Sequence, residues 1–101
     1  YPWGGSDENV ADERDRNVFI KAGDAMGKIT GYYSQKSSDM YVATGDSADW
    51  AYAATGAFAF TFELEGRNFY PGASIIKTSV EKNIKAGLYL LGITDNPYKV
   101  L

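Results

Sequence analysis

The chain has 101 residues, neither cysteine nor histidine, and a formal net charge of −3. Its length allows one small domain at most, and its negative charge argues against a large surface for nucleic acid or anionic membranes. The lack of cysteine excludes a disulfide scaffold, and no run approaches the roughly 18 apolar residues that a membrane span needs. We therefore expect neither nucleic acid nor a membrane as a partner.

The first predicted element is a helix over about residues 13–29. Apolar residues recur at helical spacing and form a stripe of Val18, Ala22, Ala25 and Ile29, widened by Phe19 and Met26. Asp12 is a candidate for the N-terminal cap, and Gly31 can end the helix.

A short second helix is predicted around residues 46–55. Asp46 or Ser47 would cap it, and Gly56 would end it. Asp49 would lie in the first turn, where its carboxylate could accept hydrogen bonds from backbone amides. This helix follows directly on a segment that contains Tyr41.

The apolar segment of residues 58–64 is the most informative part of the chain. With a period of two, the phenylalanines and Leu64 line one face, while Ala59, Thr61 and Glu63 line the other. Neither face is polar before Glu63, a pattern typical of an inner strand of an α/β sheet, where ligands gather at the carboxyl ends. Glu63 is thus placed where an active-site base belongs, and the alternative is a carboxylate that only meets water.

The last predicted element is a helix that starts with a capping-box pattern at residues 78–81. Its apolar stripe consists of Val80, Ile84, Leu88 and Leu91, and an Asn-Pro pair at residues 96–97 closes it. Three helices and one inner strand leave that strand without neighbours on its edges, so the missing strands should lie upstream.

Residues 39–52, with their Asp-Trp-x-Tyr motif, and residues 58–64 together resemble the last third of the zinc carboxypeptidase catalytic domain (carboxypeptidase A/B/T-like). The closest likeness is to the secreted bacterial branch of the family. Residues 1–4 are similar to the segment after the last zinc ligand, and residues 69–71 to the approach to the final helix. The resemblance implies that residues 1–101 are the incomplete C-terminal part of one α/β catalytic domain, a mixed, mostly parallel sheet covered by helices.

The resemblance also implies a zinc cofactor, which the family binds through a His-x-x-Glu pair and a later histidine. A catalytic zinc normally has three protein ligands, and this chain shows no such set. The zinc ligands are therefore expected outside this chain, in the remainder of the catalytic domain, and the chain alone is expected to be inactive. Peptide or protein C-termini are the implied substrates, and a secreted, periplasmic or extracellular location is implied as well.

Glu63 matches the family's catalytic glutamate, the general base that acts on the zinc-bound water. A bound zinc lowers the pKa of its water to about 7, so a nearby carboxylate can take the proton. Glu65 is a competing candidate two residues further on. We set Glu65 aside because Gly66-Arg67-Asn68 is typical of a turn, which would leave Glu65 near solvent.

Tyr41 matches the mobile tyrosine that closes over the substrate. Ala48 matches the base of the pocket for the terminal side chain, and an uncharged residue there predicts a preference for apolar or aromatic C-terminal residues. Asp46 lies close in sequence and could attract a cation, although its expected role is to cap the second helix. Other pocket-lining positions match Thr61, Met40 and Gly4.

Two alternatives to a carboxypeptidase stay open from the residues alone. One is a non-catalytic pseudo-peptidase or binding module that uses Trp3, Tyr32, Tyr33 and Tyr41 as an aromatic platform. The other is an amidase that acts on cell-wall peptides. Retention of Glu63 with Tyr41 favours the peptidase, because a binding module has no need of that glutamate.

Overall fold

The computed structural model describes residues 1–101 and contains three α-helices and no strand. Helix α1 spans Glu13–Thr30, α2 spans Ser47–Thr55 and α3 spans Ile76–Gly92. Short 3-10 helices lie at Ser37–Asp39, Ala73–Ile75 and Pro97–Val100. None of the helices is long and apolar enough to cross a membrane.

The ends of α1 are those that its sequence predicts. The Asp12 carboxylate accepts a hydrogen bond from the Asp15 amide at 2.9 Å, and this bond satisfies one of the free amides of the first turn. Gly31 has a φ of 78° and ends the helix in the left-handed conformation that glycine adopts without strain. The buried face is rotated slightly from the predicted stripe, so Ile29 is exposed and Thr30 is buried.

Helix α2 is also confirmed, and Asp46 rather than Ser47 is its cap. An oxygen of the Asp46 carboxylate accepts a hydrogen bond from the Ala48 amide at 2.8 Å. Gly56 ends the helix with a φ of 75°. Local signals within a few residues of each end were enough to place this helix.

The predicted α/β fold is wrong for this chain, because residues 57–66 form no strand and the fold is all-helical. No backbone–backbone hydrogen bond involves residues 58–65. A strand exists only through such bonds to a neighbour, and no other segment of this chain lies alongside to supply them. The segment with the alternating sequence pattern therefore has an irregular conformation.

An aromatic cluster around Phe19 of α1 forms the centre of the core. The Phe19 side chain is fully buried, and the rings of Phe58 and Phe60 lie 5.0 and 5.5 Å from it, centroid to centroid. Tyr1 and Tyr52 pack against the same ring at 5.8 and 5.1 Å. Such pairs contribute about 0.5–1.5 kcal/mol each beyond their buried area. They hold the N-terminal segment, α2 and the 58–60 region against α1.

Helix α3 departs from its prediction in two ways. It begins at Ile76, so Ser79 of the capping-box pattern lies inside the helix. The predicted core stripe of α3 is exposed to solvent, with side chains between 49% and 67% exposed: Val80, Ile84, Leu88 and Leu91. Helical periodicity identifies an apolar face but not a neighbour to cover it, and α3 instead turns the fully buried Ala86 inward.

Candidate functional site

A cleft with a volume of about 510 Å³ brings most of the predicted site residues together. Its walls come from the N-terminal segment, α1, the chain between α1 and α2, and residues 60–63. The predicted site residues on its lining are Gly4, Met40, Tyr41, Thr61 and Glu63. Ala48 is buried, with 4% of its surface exposed, and does not line the cleft.

Glu63 presents a free carboxylate at this cleft. The residue is exposed and takes part in none of the ion pairs of the chain. An unpaired carboxylate with access to a cleft can accept a proton from a bound water or substrate group. Thr61, two residues earlier, adds a hydroxyl to the same wall.

Tyr41 lies in the irregular chain between α1 and α2, and its side chain is 69% exposed. Met40 beside it is exposed as well. Backbone hydrogen bonds hold the segment on both sides of Tyr41: the Met40 amide donates to the Ser37 carbonyl at 3.2 Å, and the Ala43 amide donates to the Gly4 carbonyl at 2.9 Å. An exposed phenol on an irregular segment is suited to moving over a ligand.

Asp49 holds the N-terminal segment in place, which is not the role predicted for it. Its carboxylate accepts hydrogen bonds from the Gly4 amide at 2.9 Å and from the Gly5 amide at 2.8 Å, not from amides of its own helix. Sequence reasoning could not find these contacts, because they join residues more than forty positions apart. They fix Gly4 at the edge of the cleft.

Gly4 packs closely against the Asp46 and Ser37 side chains. A Cβ added to Gly4 would lie 2.9 Å from Asp46 Oδ2 and 3.2 Å from Ser37 Cβ. Asp46 also lines the cleft. Its carboxylate is half-buried and takes part in no ion pair. Ala48, which the resemblance matched to the pocket base, does not reach the cleft, whereas Asp46 does.

Helix α1 contributes to the cleft through residues that sequence reasoning missed, including Gly23 and Gly27. A Cβ at Gly23 would lie 2.5 Å from Ser34 Oγ, and one at Gly27 would lie 2.8 Å from the Tyr32 carbonyl oxygen. Each glycine costs a helix about 1 kcal/mol relative to alanine. Two glycines one turn apart were therefore a usable signal that another segment packs closely against α1.

Glu65 is engaged in a polar cluster that the sequence did not predict. Its side chain is 26% exposed, and Lys82 Nζ lies 2.8 Å from its Oε1. The hydroxyl groups of Ser79 and Tyr32 both donate to Oε2, that of Ser79 at 3.2 Å. Lys82, followed by Tyr32, lowers the pKa of the Glu65 carboxyl to about 2. Glu65 is set aside as a base because its oxygens are occupied.

The residues of this chain do not fit a zinc site. No group of three or more histidine, cysteine, aspartate or glutamate residues is placed to hold a metal ion, and the chain has no histidine or cysteine.

The four aromatic residues considered for a binding module are only partly brought together. Tyr33 and Tyr41 are exposed, but Trp3 packs on Tyr52 with ring centroids 5.4 Å apart. The Tyr32 hydroxyl is committed to Glu65. Tyr32, Tyr33 and Tyr41 nevertheless line the same cleft, so a binding module stays an alternative.

Residues 1–86 match the family model described as Zinc carboxypeptidase. The chain therefore belongs to the zinc carboxypeptidase family, and the resemblance seen in the sequence is confirmed.

Several curated relatives support the same assignment. Carboxypeptidase A5 of Macaca fascicularis is 32% identical, in an alignment that covers 97% of this chain and 24% of that protein. A zinc carboxypeptidase of Saccharothrix mutabilis subsp. capreolus is 28% identical over 94% of this chain and 24% of its own length. Carboxypeptidase A1 of Bos taurus is 30% identical over 80% of this chain and 21% of its own length. The chain thus spans about a quarter of the length of these relatives or less.

Proposed function

We propose that this chain is the part of a zinc metallocarboxypeptidase that supplies the general base and the closing tyrosine. The complete protein would hydrolyse the C-terminal peptide bond of peptides. The observation that carries the proposal is the free Glu63 carboxylate on the same cleft as Tyr41, Thr61, Met40 and Gly4. Family membership supports the reaction class.

In this proposal Glu63 takes a proton from the attacking water and passes it to the leaving amine. A carboxylate that is exposed to the cleft and unpaired can both accept and return a proton during one turnover. The family implies zinc, but this chain offers no ligand set for it. The ligands would have to come from residues outside this chain.

Tyr41 would close over the bound peptide. Its phenol can donate a hydrogen bond to a carboxylate or accept one from an amide, and its exposure leaves it free to move. Thr61 and Met40 would line the space for the terminal side chain. These roles are the ones that the family resemblance implies, and they require a substrate that ends in a free carboxylate.

The substrate's terminal side chain would meet a mixed pocket. Apolar groups of the cleft, such as Met40 and Phe60, suit apolar or aromatic C-terminal residues. The uncharged Ala48 predicts the same preference from the sequence, but Ala48 is buried and lies outside the cleft. The Asp46 carboxylate on the same cleft would also accept a lysine or arginine side chain. A secreted, periplasmic or extracellular location stays a prediction of the family resemblance.

The test of the proposal is the substitution Glu63→Gln in the complete protein. It preserves shape and removes the base, so kcat should fall by roughly 10²- to 10⁴-fold, as is typical when a general base is lost. Glu81→Gln, which changes an exposed carboxylate on α3, is the matched control. Zinc content and thermal stability are measured alongside and should not change. A Glu63→Gln protein with near-normal kcat would show that Glu63 is not the base.

A further inference from the structure

The segment that carries Glu63 needs an explanation for its placement, because residues 58–65 make no backbone–backbone hydrogen bond. Side chains alone must hold it. At its start, Phe58 and Phe60 pack edge-on against the buried Phe19 ring. This first attachment leaves Thr61 and Glu63 beyond the aromatic cluster.

The second attachment lies two residues after Glu63. We define the Glu65 clamp as the polar cluster of Glu65 with Tyr32, Ser79, Lys82 and Asn83. Lys82 Nζ pairs with Glu65 Oε1 at 2.8 Å and also lies 4.6 Å from the centroid of the Tyr32 ring. The clamp joins the 57–66 segment to α3 and to the residue that follows the α1 cap.

Asn83 completes the clamp. Its Nδ2 donates to the Tyr32 hydroxyl and to the Ser79 carbonyl, each at 2.8 Å. The Tyr32 hydroxyl thereby accepts one hydrogen bond and donates another to Glu65. A network in which each group restrains the next fixes geometry better than a lone surface ion pair.

We propose that Glu65, held by Lys82 and Tyr32, is a positioning residue that fixes where the Glu63 carboxylate lies in the cleft. The inference rests on the proposed function, since it concerns the base of that reaction. Two residues of chain span at most about 7 Å, so fixing Glu65 restricts the backbone of Glu63 directly. Tyr32 lines the same cleft, so the clamp links two of its walls.

Glu65 itself is not a catalytic residue. It does not line the cleft, and three donors occupy its two oxygens. The two carboxylates therefore have separate tasks: Glu63 is free to react, and Glu65 is bound to hold the segment.

The test compares Lys82→Met, which removes the cation, with Lys82→Arg, which keeps it, in the complete protein. Lys82→Met and Glu65→Gln should each lower kcat on the order of 10-fold and change KM less than twofold. A misplaced base stabilises the transition state less but leaves substrate binding unchanged. A misplacement of 1 Å can lower the rate up to about 100-fold. Lys82→Arg should keep most of the kcat.

Lys99→Met is the matched control, because it breaks the ion pair of Lys99 with Asp95 at 2.7 Å, which is not part of the clamp. It should leave kcat and KM unchanged. The proposal is overturned if Lys82→Met keeps normal kcat, if the loss falls on KM instead, or if Lys82→Arg loses as much kcat as Lys82→Met.

The clamp is also measured without activity, by a double-mutant cycle on the melting temperature. Glu65→Gln with Lys82→Met should melt no lower than Glu65→Gln alone, since either change already breaks the pair. Additive losses would contradict the clamp whether or not the protein is a peptidase. If the losses in the variants are coupled but the complete wild-type protein has no peptidase activity, the proposed function is overturned and the clamp is not.

Discussion

At the scale of single residues, two carboxylates two positions apart have opposite environments. Glu63 is exposed and unpaired, whereas Glu65 is bound by a lysine and two hydroxyl groups. The sequence alone could not reveal the partners of Glu65, because they lie on α3 and beside α1. Contacts between residues that are distant in sequence leave no local pattern.

The pKa of Glu65 predicts a dependence of stability on pH. Folding lowers this pKa from its usual 4.5 to about 2, so the unfolded chain binds more protons in that range. The clamp therefore contributes its full stability above about pH 4.5, and this contribution is lost as the pH falls toward 2. Glu65→Gln should lower the melting temperature at pH 7, and the difference from wild type should shrink at pH 3.

The control for this prediction is Glu81→Gln, because Glu81 is exposed and unpaired. Its melting temperature should follow that of the wild type at both pH values. A Glu65→Gln difference that is the same at pH 7 and pH 3 would mean that the ion pair adds nothing to stability.

Asp46 allows a prediction about specificity. The substitution Asp46→Asn removes the charge from the cleft and keeps a good helix cap. The ratio of kcat/KM for a peptide ending in Arg to one ending in Phe should fall about 10-fold, which corresponds to about 1.4 kcal/mol. An unchanged ratio would contradict a role for Asp46 in specificity.

At the scale of elements, helices were predictable where their signals are local. Asp12, Asp46, Gly31 and Gly56 act at the helix ends to which the sequence assigned them. The 58–64 segment was not predictable, because alternation becomes a strand only when a neighbour supplies ladder bonds. Within this chain the aromatic rings of that segment pack on α1 instead.

The exposed stripe of α3 allows a prediction about stability. Leu88 is 62% exposed in this chain, so Leu88→Lys should change the free energy of unfolding of the isolated chain by less than about 0.5 kcal/mol. Phe19→Ala in the core should cost about 3–5 kcal/mol. Chemical denaturation measures both changes. A loss for Leu88→Lys as large as that for a core substitution would mean that the stripe is buried.

At the scale of the whole molecule, the cleft was largely predictable and the fold was not. Gly4, Met40, Tyr41, Thr61 and Glu63, the positions that the family resemblance implied, line one cleft. The contribution of α1 to the cleft and the Asp49 anchor were missed, because both depend on tertiary contacts. The chain covers about a quarter of its relatives or less, and the sheet predicted for it is absent.

The lack of a ligand set predicts that the isolated chain neither binds zinc tightly nor hydrolyses peptides. It has no histidine or cysteine and no metal-holding group of carboxylates, whereas catalytic zinc sites use three protein ligands. Isothermal titration of the isolated chain with zinc should therefore show no specific site. A one-to-one site with submicromolar affinity would contradict the view that the ligands lie outside this chain.

The most direct test of the separate tasks of Glu63 and Glu65 measures kcat for Glu63→Gln and Glu65→Gln side by side in the complete protein. The two changes are chemically identical and lie two residues apart, so differences between them report the roles of the two carboxylates. We predict a loss of roughly 10²- to 10⁴-fold for Glu63→Gln and a loss on the order of 10-fold for Glu65→Gln. Equal losses, or a larger loss for Glu65→Gln, would contradict these roles.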